Sequence, residues 1–475
     1  MSEFLDWDAG LLAAALRGGD LSAETVMAAT LARIEARNPA VNAIVDLRDA
    51  EVLLAEARDA DAVPVAKRGA LHGMPVAVKA LSDVKGMRTT EGSPLFADRV
   101  VDSDSAFVAR MRAAGAIFIG KTNVPEFGLG SHSYNPVHGV TLNPYDGSRT
   151  AGGSSGGAGA ALAMNMVALA DGSDMMGSLR NPAGWNNVYG FRPSWGTVPK
   201  EVGAESFWQQ LSTIGPMGRC PRDCALLLSV MAEAEPGVPF NMPERDWGLP
   251  EACEVVGAKV GWLGDWGGAM PMETGILPLC ETGLGVLRAL GAEVEDVAPP
   301  FDAEAMFESW SDLRAFALAG ELAALYEDES KRARLKPAAQ WEIKRGMEMA
   351  AMELHRATKV RSEWFARAAE LFETYEVLVL PVAQVFPFPA EWDWPKEIAG
   401  ETMDTYHRWM QVMVPASLLG LPAISVPVGF SDAGLPMGMQ IIGAKGTDVR
   451  VLEIAQAYHT ATNWPNKRPP HSANG

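Results

Sequence analysis

The chain is 475 residues long, 48% hydrophobic and 21% charged, an ordinary globular composition with enough length to bury a large core unaided by disulfides or a structural metal. Its net charge of −19 argues against a nucleic-acid surface, which needs clustered Lys and Arg. Cys220, Cys224, Cys253 and Cys280 are too few for a disulfide scaffold, and no second Cys pair or nearby His completes a zinc set around Cys220 and Cys224.

The N-terminal stretch MSEFLDWDAG is acidic and lacks the basic-then-apolar pattern of a signal peptide. The apolar runs Ala158–Ala170 and Val377–Val382 are too interrupted to span a bilayer. The expectation is a cytoplasmic protein with no nucleic-acid or membrane partner, no metal and no cofactor, with a homodimer left open.

Taken in chain order, Ser22 is placed to cap a helix with Glu24 in its first turn, Met27, Leu31 and Ile34 on one face and Asn38-Pro39 at its end. Met74–Val78 reads as a buried strand running into Lys79. Ala106–Ala114 predicts a helix closed by Gly115 and followed by a strand over Ala116–Gly120. The same order recurs at Leu284–Leu290, Gly291 and Ala292–Val297. Further strands are predicted at Lys259–Leu263, Val377–Leu380 and Ile424–Val428. Residues 203–250, with several Trp and Pro and little periodicity, suggest an irregular surface excursion. Residues 302–372 read as a run of helices, either a cap over a site or a peripheral layer. Strands alternating with helices predict an α/β fold with a sheet covered on both faces. No repeat or linker divides the chain, so one domain over 1–475 is expected.

The informative stretch is Ala151-Gly-Gly-Ser-Ser-Gly-Gly-Ala-Gly-Ala160, followed by Asp171-Gly-Ser-Asp-Met-Met-Gly-Ser-Leu-Arg-Asn-Pro-Ala183. It is not a phosphate loop, because no Lys follows the glycines, and Leu162 stands where a dinucleotide fingerprint needs its third Gly. An Ala-rich helical pattern from Ala158 argues against a flexible linker. Gly-x-Ser-x-Gly is satisfied around both Ser154 and Ser155, so a nucleophile elbow is a rival reading. A Ser–His–Asp enzyme would then draw on His355, His407, His459 or His471. The elbow also expects a preceding strand, whereas Asn143–Arg149 is loop-like.

Gly152-Gly-Ser-Ser-Gly-Gly157, Gly172-Ser-Asp174 and Gly177-Ser-Leu-Arg-Asn-Pro-Ala183 resemble the signature of the amidase signature family. Upstream, Leu71-His-Gly-Met-Pro-Val-Ala-Val-Lys79, Gly120-Lys-Thr-Asn123 with Glu126-Phe127, and Ala32-Arg-Ile-Glu35 with Asn38-Pro39 and Asn42-Ala43 match as well. Downstream, Gly420-Leu-Pro-Ala-Ile-Ser-Val-Pro427 and Gly434-Leu-Pro-Met-Gly-Met-Gln440 resemble its C-terminal blocks. The resemblance implies an α/β amidase signature fold with a mostly mixed central sheet. Its catalytic core would cover about 60–200 and 375–460, with a variable helix-rich region at about 203–372.

It implies an amidohydrolase acting through an acyl-serine, with Ser178 as nucleophile, Ser154 bridging and Lys79 as base. Ser154 and Ser178 stand 24 residues apart (178 − 154), in keeping with the family pattern. A serine hydroxyl needs a base to become nucleophilic, and lysine is one only when neutral. With an ordinary pKa of about 10.4, roughly one lysine in a thousand is neutral near neutral pH, and lowering that pKa by ~3 costs about 4 kcal/mol, within reach of a buried site. The resemblance further implies an oxyanion hole of main-chain N–H groups from Met175, Met176, Gly177 and Ser178, a cis peptide at Gly153–Ser154, and supporting roles for Ser155, Asp174 and Arg180.

Departures from the family pattern are Met176 in place of Gly, Asn186-Asn187 in place of Cys-Gly, and Ala80 in place of the Asp beside the lysine. They imply a remodelled pocket for a small apolar, aryl or cyclic amide. The Met-Met-Gly-Ser-Leu-Arg-Asn-Pro-Ala wording resembles amidases that open the cyclic dimer of aminohexanoate. The side chain of Met176 either alters the oxyanion loop or points into the acyl pocket. Trp185, Phe316 and Trp341 are residues for that pocket or for the core. The alternatives are the glutaminase component of a tRNA-dependent amidotransferase and a catalytically silent amidase-like binding protein. Against the first, Met410 stands where an acidic residue is expected before Pro415, leaving Lys344 or Arg345 to pair with a carboxylate.

Overall fold

The computed structural model describes residues 3–199, 205, 207–208 and 210–470, so His471 lies outside the described residues. Its spine is an eleven-stranded sheet. In chain order the strands are β1 (Ile44–Val45), β2 (Pro75–Lys79), β3 (Ile117–Thr122), β4 (Leu169–Asp174), β5 (Tyr189–Arg192), β6 (Thr213–Gly218), β7 (Lys259–Trp262), β8 (Glu293–Asp296), β9 (Val377–Pro381), β10 (Ala423–Phe430) and β11 (Pro436–Gly443). Across the sheet the order is β1-β3-β2-β4-β6-β5-β10-β11-β9-β7-β8.

The sheet is mixed. Strands β3, β2 and β4 run parallel near one end, with β1 antiparallel to β3 at the edge, β9, β7 and β8 run parallel at the other, and the pairs between the two sets are antiparallel. Strands β2, β9 and β11 are buried at every position, in keeping with helices on both faces, and apart from Lys79 and Gln440 they hold only apolar residues and glycine. The helix after Ser22 spans Ala23–Arg37, and Ser22 Oγ accepts the Thr25 N–H at 3.1 Å. The strands expected after Gly115 and Gly291 are β3 and β8, each beginning one residue later than expected.

One expectation fails. The stretch 203–250 is not merely a surface excursion, because β6 lies inside it between β4 and β5, and the buried helix Pro221–Met231 follows. Thr213-Ile-Gly-Pro-Met-Gly218 is too poor in β-branched residues to announce a strand, yet tertiary pairing makes it central. The helices expected over 302–372 are present as Ala303–Glu327, Glu329–Arg332, Pro337–Glu348 and Ala351–Thr374. Among the described residues no helix is long and apolar enough to cross a membrane.

Candidate active site

Strand β2 delivers Lys79 at its last position, opposite Thr122 of β3. The side chain is 1% exposed, so desolvation acts on it almost undiluted. Nζ lies 2.8 Å from Ser154 Oγ, 2.8 Å from Ser155 Oγ and 2.9 Å from Ser173 Oγ. Burial pushes its pKa down from the ordinary amine range to about 7, against the pull of Asp171 and Asp174. That displacement is worth ~5 kcal/mol of preference for the neutral amine.

Ser154 follows a cis peptide bond from Gly153, and Ser155 caps the buried helix Gly156–Ala163. This loop is held from two sides. On one, the Ser133 N–H donates to Gly152 O at 3.0 Å, and Ser133 Oγ accepts the Gly156 N–H at 3.1 Å. On the other, the Ser155 N–H donates to Ser178 O at 3.2 Å. No hydrogen bond joins the Ser154 and Ser178 hydroxyls, and Ser178 is 9% exposed, the most open of the three. Catalytic hydrogen bonds are commonly loose in unliganded sites and tighten around substrate.

The loop from Met175 to Leu179 is built on Asp174. Its Oδ1 accepts the Gly177 N–H at 2.8 Å and its Oδ2 the Leu179 N–H at 3.2 Å. Arg180 grips the same carboxylate through Nε at 3.0 Å and Nη2 at 2.9 Å, and Arg192 adds Nη1 at 3.2 Å, all fully buried. Burial opposes ionisation of Asp174, yet the two guanidiniums hold its carboxyl well below the usual carboxylate range. Gly177 has φ +85°, and a Cβ there would stand 2.5 Å from Met413 Cγ, so glycine is required twice over.

Of the four N–H groups expected at an oxyanion hole, that of Gly177 is committed to Asp174. Those of Met175, Met176 and Ser178 have no acceptor among the described residues. Met176 is buried in the core at 3% exposure without the left-handed backbone of Gly177. The helix Ala303–Glu327 touches this loop directly. Trp310 Nε1 donates to Met175 O at 3.2 Å, and Arg314 Nη1 approaches Met175 Sδ at 2.9 Å. Arg314 is itself fixed by Glu342 Oε1 at 2.6 Å.

A cavity of about 140 Å³ adjoins these loops. It is lined by Leu129–His132, Tyr134, Lys336, Trp394, Tyr406 and Trp409. A Cβ on Gly128, next to this wall, would come within 3.5 Å of Ser154 Oγ. The cavity shares Pro337, Ala338, Trp394 and Tyr406 with an outer cleft of about 310 Å³ that includes Trp341. A larger groove of 730 Å³, walled by Phe386, Phe388 and Trp392, likewise holds none of Lys79, Ser154 or Ser178; the smaller cavity is the one tied to the serine loop, since a Cβ on Gly153 would stand 2.9 Å from His132 N in its wall. Trp341 is therefore a cleft residue. Trp185 is core, stacked on Trp409 at 5.8 Å, and Phe316 sits at the surface against Trp208.

The Ser–His–Asp alternative finds no support in position. His459 pairs with Tyr189 Oη at 3.0 Å, His407 lies beside Glu342, and His355 is exposed. Among the described residues no histidine bonds Ser154, Ser155 or Ser178. Lys344 and Arg345 are engaged by Glu348 and Asp312. All four cysteines are free thiols, and Asp223 beside Cys220 is satisfied by the N–H groups of Ala9 and Arg219. Sequence reasoning missed Ser173, Asp171, Trp310 and Arg314. Ser173 and Asp171 sit two apart on β4, and the period of a strand places both toward Lys79.

Comparison with known proteins identifies the family. The family described as Amidase matches residues 25–452. An acylamidase of Rhodococcus erythropolis is 31% identical over 97% of this chain and 96% of its own length. The A component of the glutamyl-tRNA(Gln) amidotransferase of Ralstonia nicotianae is 33% identical over 96% and 98%. Among solved structures, a bacterial aryl acylamidase superposes with a TM-score of 0.90 at 28% identity, covering 98% of this chain and 99% of that one. A 6-aminohexanoate cyclic dimer hydrolase with substrate gives 0.83 at 25% identity, covering 98% and 99%. The chain belongs to the amidase signature family and is an enzyme that hydrolyses carboxylic amide C–N bonds.

Proposed function

We propose that the protein is a stand-alone amidase in which Ser178 attacks the amide carbonyl, Ser154 relays its proton and Lys79 receives it. The observation that carries this reading is a lysine amine, 1% exposed, within 2.8 Å of the hydroxyls of Ser154 and Ser155. A neutral amine offers one lone pair and two N–H bonds. It can therefore accept from the Ser154 hydroxyl while donating to Ser155 and Ser173. As Ser178 Oγ bonds to carbon, its proton passes to Ser154 Oγ while that of Ser154 passes to Lys79 Nζ. The negative oxygen is met by the N–H groups of Met175, Met176 and Ser178, each such donor being worth roughly 2.7–4 kcal/mol. Lys79 then returns the proton through Ser154 to the departing nitrogen, and water releases the acyl group from Ser178 by the reverse path.

The aromatic walls of the cavity and cleft, Tyr134, Trp341, Trp394, Tyr406 and Trp409, favour a small apolar, aryl or cyclic amide. The relatives named acylamidase and aryl acylamidase point the same way. The decisive experiment is labelling with a serine-reactive fluorophosphonate followed by peptide mapping, alongside hydrolysis of a panel of anilides, lactams and primary amides. A label found elsewhere than on Ser178 removes the assignment.

A second reading, the glutaminase component of an amidotransferase, is favoured by the 33% identity to the Ralstonia nicotianae protein. Against it, Met410 is buried in the core and supplies no charge for an amino-acid substrate. Glutamine hydrolysis exceeding anilide hydrolysis would establish it.

A further inference from the structure

Asp171 has no part in the reaction just described, yet it is the buried carboxylate nearest in sequence register to the base. Ala77 of β2 pairs with Ala170 of β4, which brings Asp171 level with the end of β2. Asp171 Oδ1 accepts the main-chain N–H of Lys79 at 3.0 Å. Its Oδ2 is buried and has no hydrogen-bond partner, and the residue is 1% exposed. A buried carboxylate oxygen left unpaired is expensive, so the position is one where charge itself has a use.

The surrounding charges are few. Lys79 faces Asp171 and Asp174, but Asp174 is neutralised by Arg180 and Arg192, whereas no arginine bonds Asp171. Lys121 on β3 also faces Asp171, with its Nζ bonded to Ser82 O and Thr89 Oγ1, and itself feels Asp83, Asp46 and Arg99. Position 80 is alanine. Strand β6 and the helix Gly156–Ala163, which pack against β4, carry no titratable residue. On the helix Pro221–Met231, Asp223 is turned to Ala9 and Arg219, and Arg222 to Leu249. On the helix Ala23–Arg37 behind β2, Glu24 pairs with Arg58, Arg33 with Asp6, and Arg37 donates to Met164 O.

We propose that Asp171 is a positioning residue for amide hydrolysis, fixing the main chain of Lys79 and stabilising the ammonium formed when its amine takes the Ser178 proton, until the departing nitrogen receives it. The proposal rests on the reading of Lys79 as the base. Burial alone would disfavour the ammonium so strongly that the intermediate from which the nitrogen departs would be scarcely populated. Burial raises the Asp171 carboxyl to about 6, still below Lys79, so above that pH a negative charge beside the amine restores proton affinity while the amine remains able to accept in the first half of the cycle. The direction of the Asp171 influence, raising proton affinity at Lys79 against desolvation, agrees with this geometry.

The test compares the wild type with Asp171→Asn, which keeps an oxygen for the Lys79 N–H and removes the charge. The pH dependence of fluorophosphonate labelling should show a rising limb that Asp171→Asn moves about one pH unit lower, the size expected for loss of a nearby opposite charge. On an anilide and a phenyl ester with the same acyl group, the amide-to-ester rate ratio should fall about tenfold, because phenolate, unlike the anilide nitrogen, leaves without a proton. Should Asp171→Asn not fold by circular dichroism, Asp171→Ser, which keeps a hydroxyl acceptor, reads the same two quantities. A folded variant with an unmoved limb and an unchanged ratio overturns the proposal. A wild-type protein with no such limb, or a Lys79→Met variant that keeps it, overturns both this proposal and the reading of Lys79 as base. Failure of Asp171 alone leaves the wild-type limb present and dependent on Lys79.

Discussion

Ser155 donates its main-chain N–H to the carbonyl oxygen of Ser178 at 3.2 Å while its own hydroxyl lies 2.8 Å from Lys79 Nζ, so one residue ties the Ser178 loop to Lys79. The Ser178 hydroxyl takes no part in this scaffold. Ser178→Ala is therefore expected to lower kcat at least ~10⁴-fold and to abolish fluorophosphonate labelling, while thermal unfolding shifts by no more than a degree or two. Retained labelling by that variant contradicts the nucleophile assignment.

The lowered proton affinity of Lys79 gives activity a pH signature. Burial holds its pKa at about 7, so the neutral base is the minor form below that pH and the major form above it. The anilide kcat/KM should rise through pH 7 and level off toward pH 9, and Lys79→Met should lose both the limb and at least ~10³-fold in rate. A profile flat from pH 6 to 9 argues against lysine as the base.

Arg180→Met is expected to destabilise the fold by about 3–5 kcal/mol in urea denaturation, since it leaves Asp174 buried with one of its two guanidinium partners gone. The sign with pH follows from the depressed carboxyl. The wild-type contribution is complete above the unfolded carboxylate range near 4 and is lost only as pH falls through the much lower folded value. The difference between wild type and variant should hence be constant from pH 5 to 8.

Trp394→Ala removes an aromatic wall common to the inner cavity and the outer cleft. KM for anilides should rise about tenfold with kcat little changed, and turnover of acetamide-sized substrates should be unaffected. Equal losses on both substrate sizes would place the binding site elsewhere.

Gly177→Ala forces a side chain into φ +85° and against Met413. It should cost about 10² in kcat by displacing the adjoining N–H donors, with circular dichroism unchanged. A variant of normal rate would show that the loop is not used in the reaction.

Much of the site was legible because its chemistry is carried by short motifs. Lys79, Ser154 and Ser178 stand in Pro-Val-Ala-Val-Lys, Gly-Gly-Ser-Ser-Gly-Gly and Gly-Ser-Leu-Arg, and the structure gathers Lys79 with Ser154 and ties their loop to Ser178. Strand β4 was not legible, since Asp171, Gly172, Ser173 and Asp174 dilute its apolar pattern with the polar groups the site requires. Strand β6 was hidden for a related reason, its Gly and Pro content overriding any β signal although its neighbours make it central. The commitment of the Gly177 N–H to Asp174, and the reach of Trp310 and Arg314 across more than 130 residues to Met175, are tertiary facts that no local pattern announces.

The grip of Trp310 and Arg314 on Met175 separates two kinds of change in this enzyme. Lys79, Ser154 and Ser178 sit on a strand end and tight loops, whereas Met175, at the start of the Ser178 loop, is anchored by two buried side chains of a separate helix. Substitutions on that helix can retune which acyl groups are accommodated while the proton-transfer apparatus is inherited intact. Diversification of substrate range would then be recorded at helix positions 310 and 314 rather than in the Gly-Ser loops.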